Sequence, residues 1–131
     1  MNHRGVRLTK KIICELDAGE RNHITEPVKL YPHIIQAGPM DFKEWWVDKG
    51  FADEYGYHRQ KYLKVPCTNG FKDGEMDCIW RQLCRHKPGD LIWVSEKKCR
   101  KEDTPFWLMV DSVHPEKRLN GWVWWIDVHI D

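Results

Sequence analysis

Residues 120–130 read NGWVWWIDVHI, and this stretch favours a β-rich fold. The Asn120-Gly121 pair is typical of a tight turn between antiparallel strands, because both residue types tolerate a left-handed backbone. After the turn the residues alternate in character, as they do along a strand with one buried face. The apolar face holds Trp122, Trp124, Ile126, Val128 and Ile130, and the half-polar face holds Val123, Trp125, Asp127 and His129. The pattern predicts a strand over residues 122–130 whose apolar face lies in the core.

Turn and strand signals continue upstream of this strand. Residues 86–90 read HKPGD, which places Pro88 and Gly89 at the two central positions of a type II turn. Residues 51–85 mix aromatic and turn residues without a readable period. Short apolar runs predict three more strands, over residues 62–66, 91–94 and 106–113, and a short extended segment over residues 6–8.

Two segments have the spacing of amphipathic helices. The first covers residues 10–18, with Thr9 as its N-cap and Gly19 where a glycine ends the helix. The second covers residues 41–49, and its apolar face holds Phe42, Trp45 and Trp46. One or two helices together with five or six short strands predict a small barrel decorated with helices.

The composition is that of one globular domain over residues 1–131. Hydrophobic residues make up 41% and charged residues 31%, which separates the chain from disordered proteins. The 21 basic and 20 acidic residues leave a net charge of +1, which argues against a protein that coats nucleic acid through a general excess of positive charge. Five cysteines and an N-terminus without an apolar stretch favour reduced thiols and a cytoplasmic location. No apolar run is long enough to predict a membrane span.

Three phrases of the chain resemble a known family. Residues 11–21 read KIICELDAGER and are followed by PVK at 27–29, residues 84–96 read CRHKPGDLIWVSE, and residues 126–130 read IDVHI. These phrases are similar to those of the small phage and prophage ASCH proteins of the PUA-like superfamily. The resemblance implies an α+β fold, in which a single domain forms a small β-barrel of five or six strands with one to three flanking helices. It also implies a cleft beside the first helix that recognises RNA or a modified nucleoside, and some members of the family are hydrolases.

The family signature GxKxx[ET]xR is present here only in part. Gly19 matches the glycine, and Arg21 stands where the lysine is expected. Ile24 replaces the Thr or Glu and Glu26 replaces the arginine, while Thr25 is one position out of register. An arginine keeps its proton near neutral pH and isoleucine has no acid–base chemistry, so the implied catalytic set is incomplete and a non-catalytic protein is favoured. The candidates for any retained catalysis are Arg21, Thr25, Glu26 and Glu96.

The predicted binding residues are four cations, one tryptophan and one carboxylate. With the resemblance, the predicted ligand-binding set is Lys10, Lys11, Arg21, Lys29, Trp93 and Glu96. The alternative is that the charged residues are ordinary solvated surface and that the tryptophan packs in the core. Partner contacts are predicted for Trp45, Trp46 and Trp125, because adjacent or off-face tryptophans cannot all point inward.

Metal and cofactor chemistry have little support in the sequence. The weak candidates for a zinc site are Cys67, Cys78, Cys84 and His86, whose spacing lacks the two close ligand pairs of a structural site. Buried thiols that behave as small apolar groups are the commoner case, and no motif predicts a cofactor. Three functions stay open: a binding module for RNA or a modified nucleoside, a hydrolase of acetylated cytidine or RNA, and a phage protein that binds and inhibits a host protein.

Overall fold

The structure is a computed structural model that describes residues 3–32, 34–45, 60–67, 78–97 and 103–131. These residues form eight strands and one helix. In chain order they are β1 (His3–Arg7), α1 (Lys10–Asp17), β2 (His23–Pro27), β3 (Asp41–Trp45), β4 (Gln60–Cys67), β5 (Cys78–Leu83), β6 (Leu91–Ser95), β7 (Trp107–Arg118) and β8 (Gly121–Ile130).

The strands form two sheets. The larger sheet has the order β1-β6-β7-β8-β2, and the smaller has the order β3-β4-β5. β1 pairs with β6 in parallel, whereas the other neighbours are antiparallel. The long hairpin of β7 and β8 dominates the larger sheet, and its register shifts between Val110 and Ser112. This shift leaves Asp111 as an extra residue on β7, as in a β-bulge.

The core lies on the inner face of the larger sheet. Trp124, Ile126 and Val128 are all buried, which confirms the predicted inner face for the middle of the last strand. At its two ends Trp122 is only half-buried and Ile130 is 41% exposed. Leu16 of α1 packs into the same cluster, and so does Leu63 of β4. Leu63 therefore joins the smaller sheet to the main core. Further along β4, a second cluster of Ile34, Val65 and Cys67 is covered by Leu30, Met40 and Trp80.

Several local predictions are confirmed. The Thr9 side chain accepts a hydrogen bond from the Ile12 amide at 3.3 Å, so Thr9 caps α1. Gly19 follows the helix with a φ of 75°. Gly89 has a φ of 92° and the Asp90 amide donates to the Lys87 carbonyl at 3.0 Å, as expected for the type II turn. The strands predicted over residues 62–66, 91–94, 106–113 and 122–130 correspond to β4, β6, β7 and β8, with β7 continuing to Arg118.

The predicted barrel with flanking helices is wrong. Neither sheet closes on itself in the part of the chain that the structure describes, because hydrogen bonding in the larger sheet ends at β1 and β2. The same residues contain α1 alone as a helix, and no helix among them is long and apolar enough to cross a membrane. Among the described residues, the strands of the smaller sheet pair with no strand of the larger sheet, and Leu63 packs into the core of the larger sheet.

The helix predicted over residues 41–49 is wrong for residues 41–45, and the rest lies outside the described residues. These five residues form β3, which pairs with β4 from Asp41 opposite Lys64 to Trp45 opposite Gln60. The helical spacing of Phe42, Trp45 and Trp46 rests on three residues, and an i, i+3, i+4 pattern of that length is a weak signal. Pairing with a neighbouring strand outweighs it.

Gly5 of β1 is a position where a side chain has no room. A Cβ placed there would lie 2.5 Å from Cε2 of Trp93, whose indole covers the glycine backbone. We expect Gly5→Ala to lower the free energy of unfolding by about 1–2 kcal/mol, because Trp93 must move in a packed aromatic cluster. Chemical denaturation measures this loss.

A matched control for Gly5→Ala is Gly38→Ala. A Cβ at Gly38 would make an ordinary contact of 3.6 Å with Pro66, so the free energy of unfolding is expected to change by about 0.5 kcal/mol or less. In the double variant Gly5→Ala/Trp93→Phe the smaller ring makes room, and the two losses should be less than additive. Full additivity would show that Trp93 does not limit this site.

Candidate functional site

A cleft of about 680 Å³ opens between the two edge strands of the larger sheet. The ends of β1 and β2 form two walls, and the segment that leaves β5 forms a third. Trp124 of β8, which is 4% exposed, lines the cleft from the core side. The polar residues of the lining are Arg7, Thr25, Glu26, Lys29, Tyr31, Gln82 and Arg85.

Glu26 is the centre of a hydrogen-bonded network in this cleft. Arg85 donates from Nε to Oε2 at 3.1 Å and from Nη2 to Oε1 at 2.6 Å. Nε2 of His86 lies 3.1 Å from the same Oε1. Burial by itself raises the pKa of Glu26, but the hydrogen bonds from His86 and Arg85 outweigh it and lower the pKa to about 2. Glu26 is therefore ionised at neutral pH, and its hydrogen bonds raise the pKa of Arg85.

The ionised state of Glu26 determines which ring nitrogen of His86 is the hydrogen-bond donor. An ionised carboxylate has acceptors only, so Nε2 of His86 carries the proton and donates it to Oε1. The side chain of His86 is fully buried, and its Nδ1 has no hydrogen-bond partner among the described residues. His86 thus has one strong hydrogen bond, and that bond is directed at Glu26.

The cleft carries a local excess of positive charge. Three of its lining residues are cations, Arg7, Lys29 and Arg85, and one is an anion, Glu26. Glu26 is already compensated by Arg85, whereas Arg7 and Lys29 are exposed and form no ion pair within the described ranges. A chain with a net charge of +1 can therefore still attract an anion to this place.

The predicted binding and catalytic residues separate into two groups. Thr25, Glu26 and Lys29 all line the cleft. Arg21 lies instead beside another cavity, of about 280 Å³, between the end of α1 and strands β7 and β8. Its Nε donates to Oε2 of Glu15 at 2.8 Å, and this hydrogen bond lowers the pKa of Glu15. Pro88 lines a third cavity, of about 160 Å³, which is separate from the cavity beside the end of α1.

The remaining predicted ligand residues lie outside the cleft lining. Lys10 and Lys11 are exposed on α1 and line none of these three cavities. Trp93 covers the backbone of Gly5, and its ring meets the Trp107 ring edge-on at 5.8 Å. Glu96 is exposed just after β6. The structure therefore does not bring these residues together with Lys29.

The three tryptophans predicted to contact a partner are placed differently. Trp125 is half-buried on the outer face of β8, where its ring stacks on His23 at a centroid distance of 3.7 Å. Its Nε1 donates to Asp127 at 3.0 Å. Trp45 ends β3, and Trp46 lies outside the described residues.

The candidate zinc ligands do not form a described metal site. Cys67 and Cys84 are buried, and burial raises the pKa of Cys84 to about 12. Cys78 faces Cys67 in the β4–β5 register, and His86 is bonded to Glu26. No group of three or more His, Cys, Asp or Glu side chains among the described residues could hold a metal ion.

Sequence reasoning missed half of this cleft. The sequence singles out none of Arg7, Tyr31, Gln82 and Arg85 as a site residue, and it indicates His86 only as a weak candidate for a metal ligand. The pairing of Glu26 with Arg85 and His86 joins positions 59 and 60 residues apart, so no local spacing reveals it. Comparison with known proteins adds nothing to this geometry: no protein-family model, curated protein sequence or solved structure matches the chain.

Proposed function

We propose that this protein binds single-stranded RNA, or a nucleotide derived from it, in the cleft between β1 and β2. The observation that carries the proposal is the charge of the lining, in which Arg7 and Lys29 are exposed cations without an ion-pair partner among the described residues. Phosphates are the common biological anions that such cations recognise, and they provide most of the affinity of nucleic-acid complexes.

The remaining lining residues fit a nucleotide better than a simple anion. Thr25 offers a hydroxyl group, and Gln82 offers the N–H donors of an amide whose oxygen accepts a hydrogen bond from Trp80 at 3.2 Å. Hydroxyl groups and amide donors of this kind hydrogen-bond to base edges. Tyr31 lies at the cleft with 54% of its surface exposed, and its ring meets Trp80 edge-on at 5.6 Å. An exposed ring held by a neighbour is a suitable platform for an unpaired base. Single-stranded RNA presents such bases, which a duplex does not.

A hydrolase is the second candidate, because a hydroxyl, a carboxylate and an amine line the same cleft. These groups belong to Thr25, Glu26 and Lys29. However, the carboxylate of Glu26 already accepts hydrogen bonds from Arg85 and His86. This arrangement favours a binding role for the cleft over proton transfer by Glu26. Turnover of acetylated cytidine that is lost in Thr25→Ala would establish the hydrolase. Inhibition of a host protein stays a prediction, and so does the resemblance to ASCH proteins.

The proposal predicts that reversing two cleft charges abolishes most RNA binding. We expect Arg7→Glu/Lys29→Glu to weaken binding of a fluorescent six-nucleotide RNA of mixed sequence by about 30-fold at low salt, since two charge-assisted contacts are lost. The wild-type affinity should fall with added salt, and the variant should show a shallower salt dependence. Fluorescence anisotropy measures both.

The control changes the same charge elsewhere. Lys43 of β3 and Lys97 after β6 are exposed and line none of the three cavities, so Lys43→Glu/Lys97→Glu should bind within about threefold of the wild type. A third variant, Lys10→Glu/Lys11→Glu, tests the cluster predicted from the sequence. Equal losses in all three variants, or a loss confined to the third, would contradict a site in the cleft.

A further inference from the structure

Arg85 is held along one edge of its guanidinium group. Nε and Nη2 form that edge, and both donate to the carboxylate of Glu26. The opposite edge consists of Nη1 and the second N–H of Nη2, and within the described part of the chain no acceptor takes these donors. The side chain is 47% exposed and lines the cleft. One edge is thus fixed while the other is available to a ligand.

His86 fixes the other side of the same carboxylate. Its Nε2 donates to Oε1 of Glu26, the oxygen that also accepts from Nη2 of Arg85. Because His86 is fully buried, its ring is held by packing and cannot turn away from Glu26 without a change in the core. Glu26 therefore accepts hydrogen bonds from the buried His86 on the core side and from the partly exposed Arg85 on the solvent side.

We propose that the free guanidinium edge of Arg85 binds a phosphate group of the nucleotide in the cleft, and that His86 is a positioning residue that orients Arg85 through Glu26. This inference rests on the proposed function and adds to it which residue recognises the phosphate. Two parallel N–H donors match two phosphate oxygens, a geometry that a lysine ammonium does not reproduce. An arginine that is already immobile also loses little conformational entropy when the ligand binds.

Charge and geometry are divided between different residues in this arrangement. The negative charge of Glu26 offsets the positive charge of Arg85. Arg85 therefore adds little to the long-range attraction of an anion. Arg7 and Lys29 provide that attraction. Arg85 instead provides a fixed direction for two hydrogen bonds, and this should make binding depend on the position of one phosphate.

The test is a double-mutant cycle between Arg85 and single phosphates. The six-nucleotide RNA is made without terminal phosphates, and each linkage in turn is replaced by a neutral methylphosphonate. In the wild type we expect the replacement of one particular linkage to weaken binding about 10-fold, and the replacement of any other linkage to weaken it about twofold. In Arg85→Lys, which keeps the charge, the cost at that linkage should fall to about twofold. A 5′-phosphorylated copy shows whether a terminal phosphate occupies the same place.

The role of His86 is tested by a pair of variants. His86→Gln places an amide donor near the position of Nε2 and should keep both the affinity and the selective cost at one linkage. His86→Leu removes the donor, and we expect about fivefold weaker binding with that selective cost largely lost. Folding of each variant is checked by circular dichroism, and if His86→Leu does not fold, Arg85→Lys still tests the phosphate contact.

The outcomes separate this inference from the function on which it rests. RNA binding that depends on Arg7 and Lys29, but with the same methylphosphonate profile in the wild type and Arg85→Lys, would overturn the role of Arg85 and leave the cleft as the binding site. Binding by His86→Leu with the wild-type profile would overturn the positioning role. Absence of any RNA binding by the wild type would remove both proposals.

Discussion

Replacing Glu26 with Gln is expected to lower the free energy of unfolding by about 3 kcal/mol at pH 7. The carboxylate accepts three hydrogen bonds from Arg85 and His86, and its side chain is only 17% exposed. Removing the carboxylate leaves Arg85 and His86 without their charged acceptor. In a largely buried site this costs far more than the loss of a surface ion pair. Urea denaturation of the two proteins at pH 7 gives the difference.

The same substitution should remove part of the acid sensitivity of the protein. The pKa of Glu26 is about 2 in the folded protein against an ordinary value of 4.5. A lowered pKa means that its stabilising contribution is complete above pH 4.5 and is lost as the pH falls toward 2. The difference in the free energy of unfolding between the wild type and Glu26→Gln should therefore shrink between pH 4.5 and pH 2.

A surface carboxylate provides the control for Glu26. Glu116 lies 3.4 Å from Arg118, and both side chains are 40% or more exposed. Glu116→Gln is expected to change the free energy of unfolding by about 0.5 kcal/mol or less. If Glu26→Gln costs no more than this control, or if its cost is the same at pH 3 as at pH 7, the network around Glu26 does not stabilise the fold.

The second large effect is expected at Trp124, where Trp124→Ala should cost about 3–5 kcal/mol. This ring is 4% exposed, belongs to the main core cluster and lines the cleft. The neighbouring Trp125 is half-buried on the opposite face, so Trp125→Ala removes a stacking contact with His23 and one hydrogen bond. We expect that variant to cost about 1–1.5 kcal/mol.

The pair Trp124 and Trp125 is a direct test of the register of β8. A shift of one residue would exchange the two faces of the strand and reverse the order of the two losses. Both variants are compared by thermal and chemical denaturation. Equal losses would contradict the burial of Trp124 in preference to Trp125.

Local signals were enough to predict part of the fold. The strand over residues 122–130, the turn at Pro88 and Gly89 and the cap at Thr9 each depend on a few neighbouring residues, and each is confirmed. These features follow from backbone sterics and from side-chain periodicity, which are properties of short segments. Lys29, Thr25 and Glu26 also line the cleft, but Lys29 was predicted as a binding residue and the other two as catalytic candidates, largely from a resemblance.

Long-range pairing decided what the sequence could not show. Residues 41–45 have a helical spacing of apolar residues, yet they form β3 because β4 is present to pair with them. Whether the larger sheet closes depends on the partners of its two edge strands, β1 and β2. The sequence of neither strand indicates which strand pairs with it. Glu26 likewise shows no sign in the sequence of Arg85, since a contact between distant residues has no period.

The parallel pairing of β1 with β6 has a consequence for the order of assembly. A ribosome releases the chain from its N-terminus, so His3–Arg7 emerge long before the partner strand Leu91–Ser95. Until then β1 has no place in the sheet, and closing so long a loop is slow compared with forming the β7–β8 hairpin. Arg7 therefore reaches its place at the edge of the larger sheet only after Leu91–Ser95 has been synthesised, although it is among the first residues to emerge.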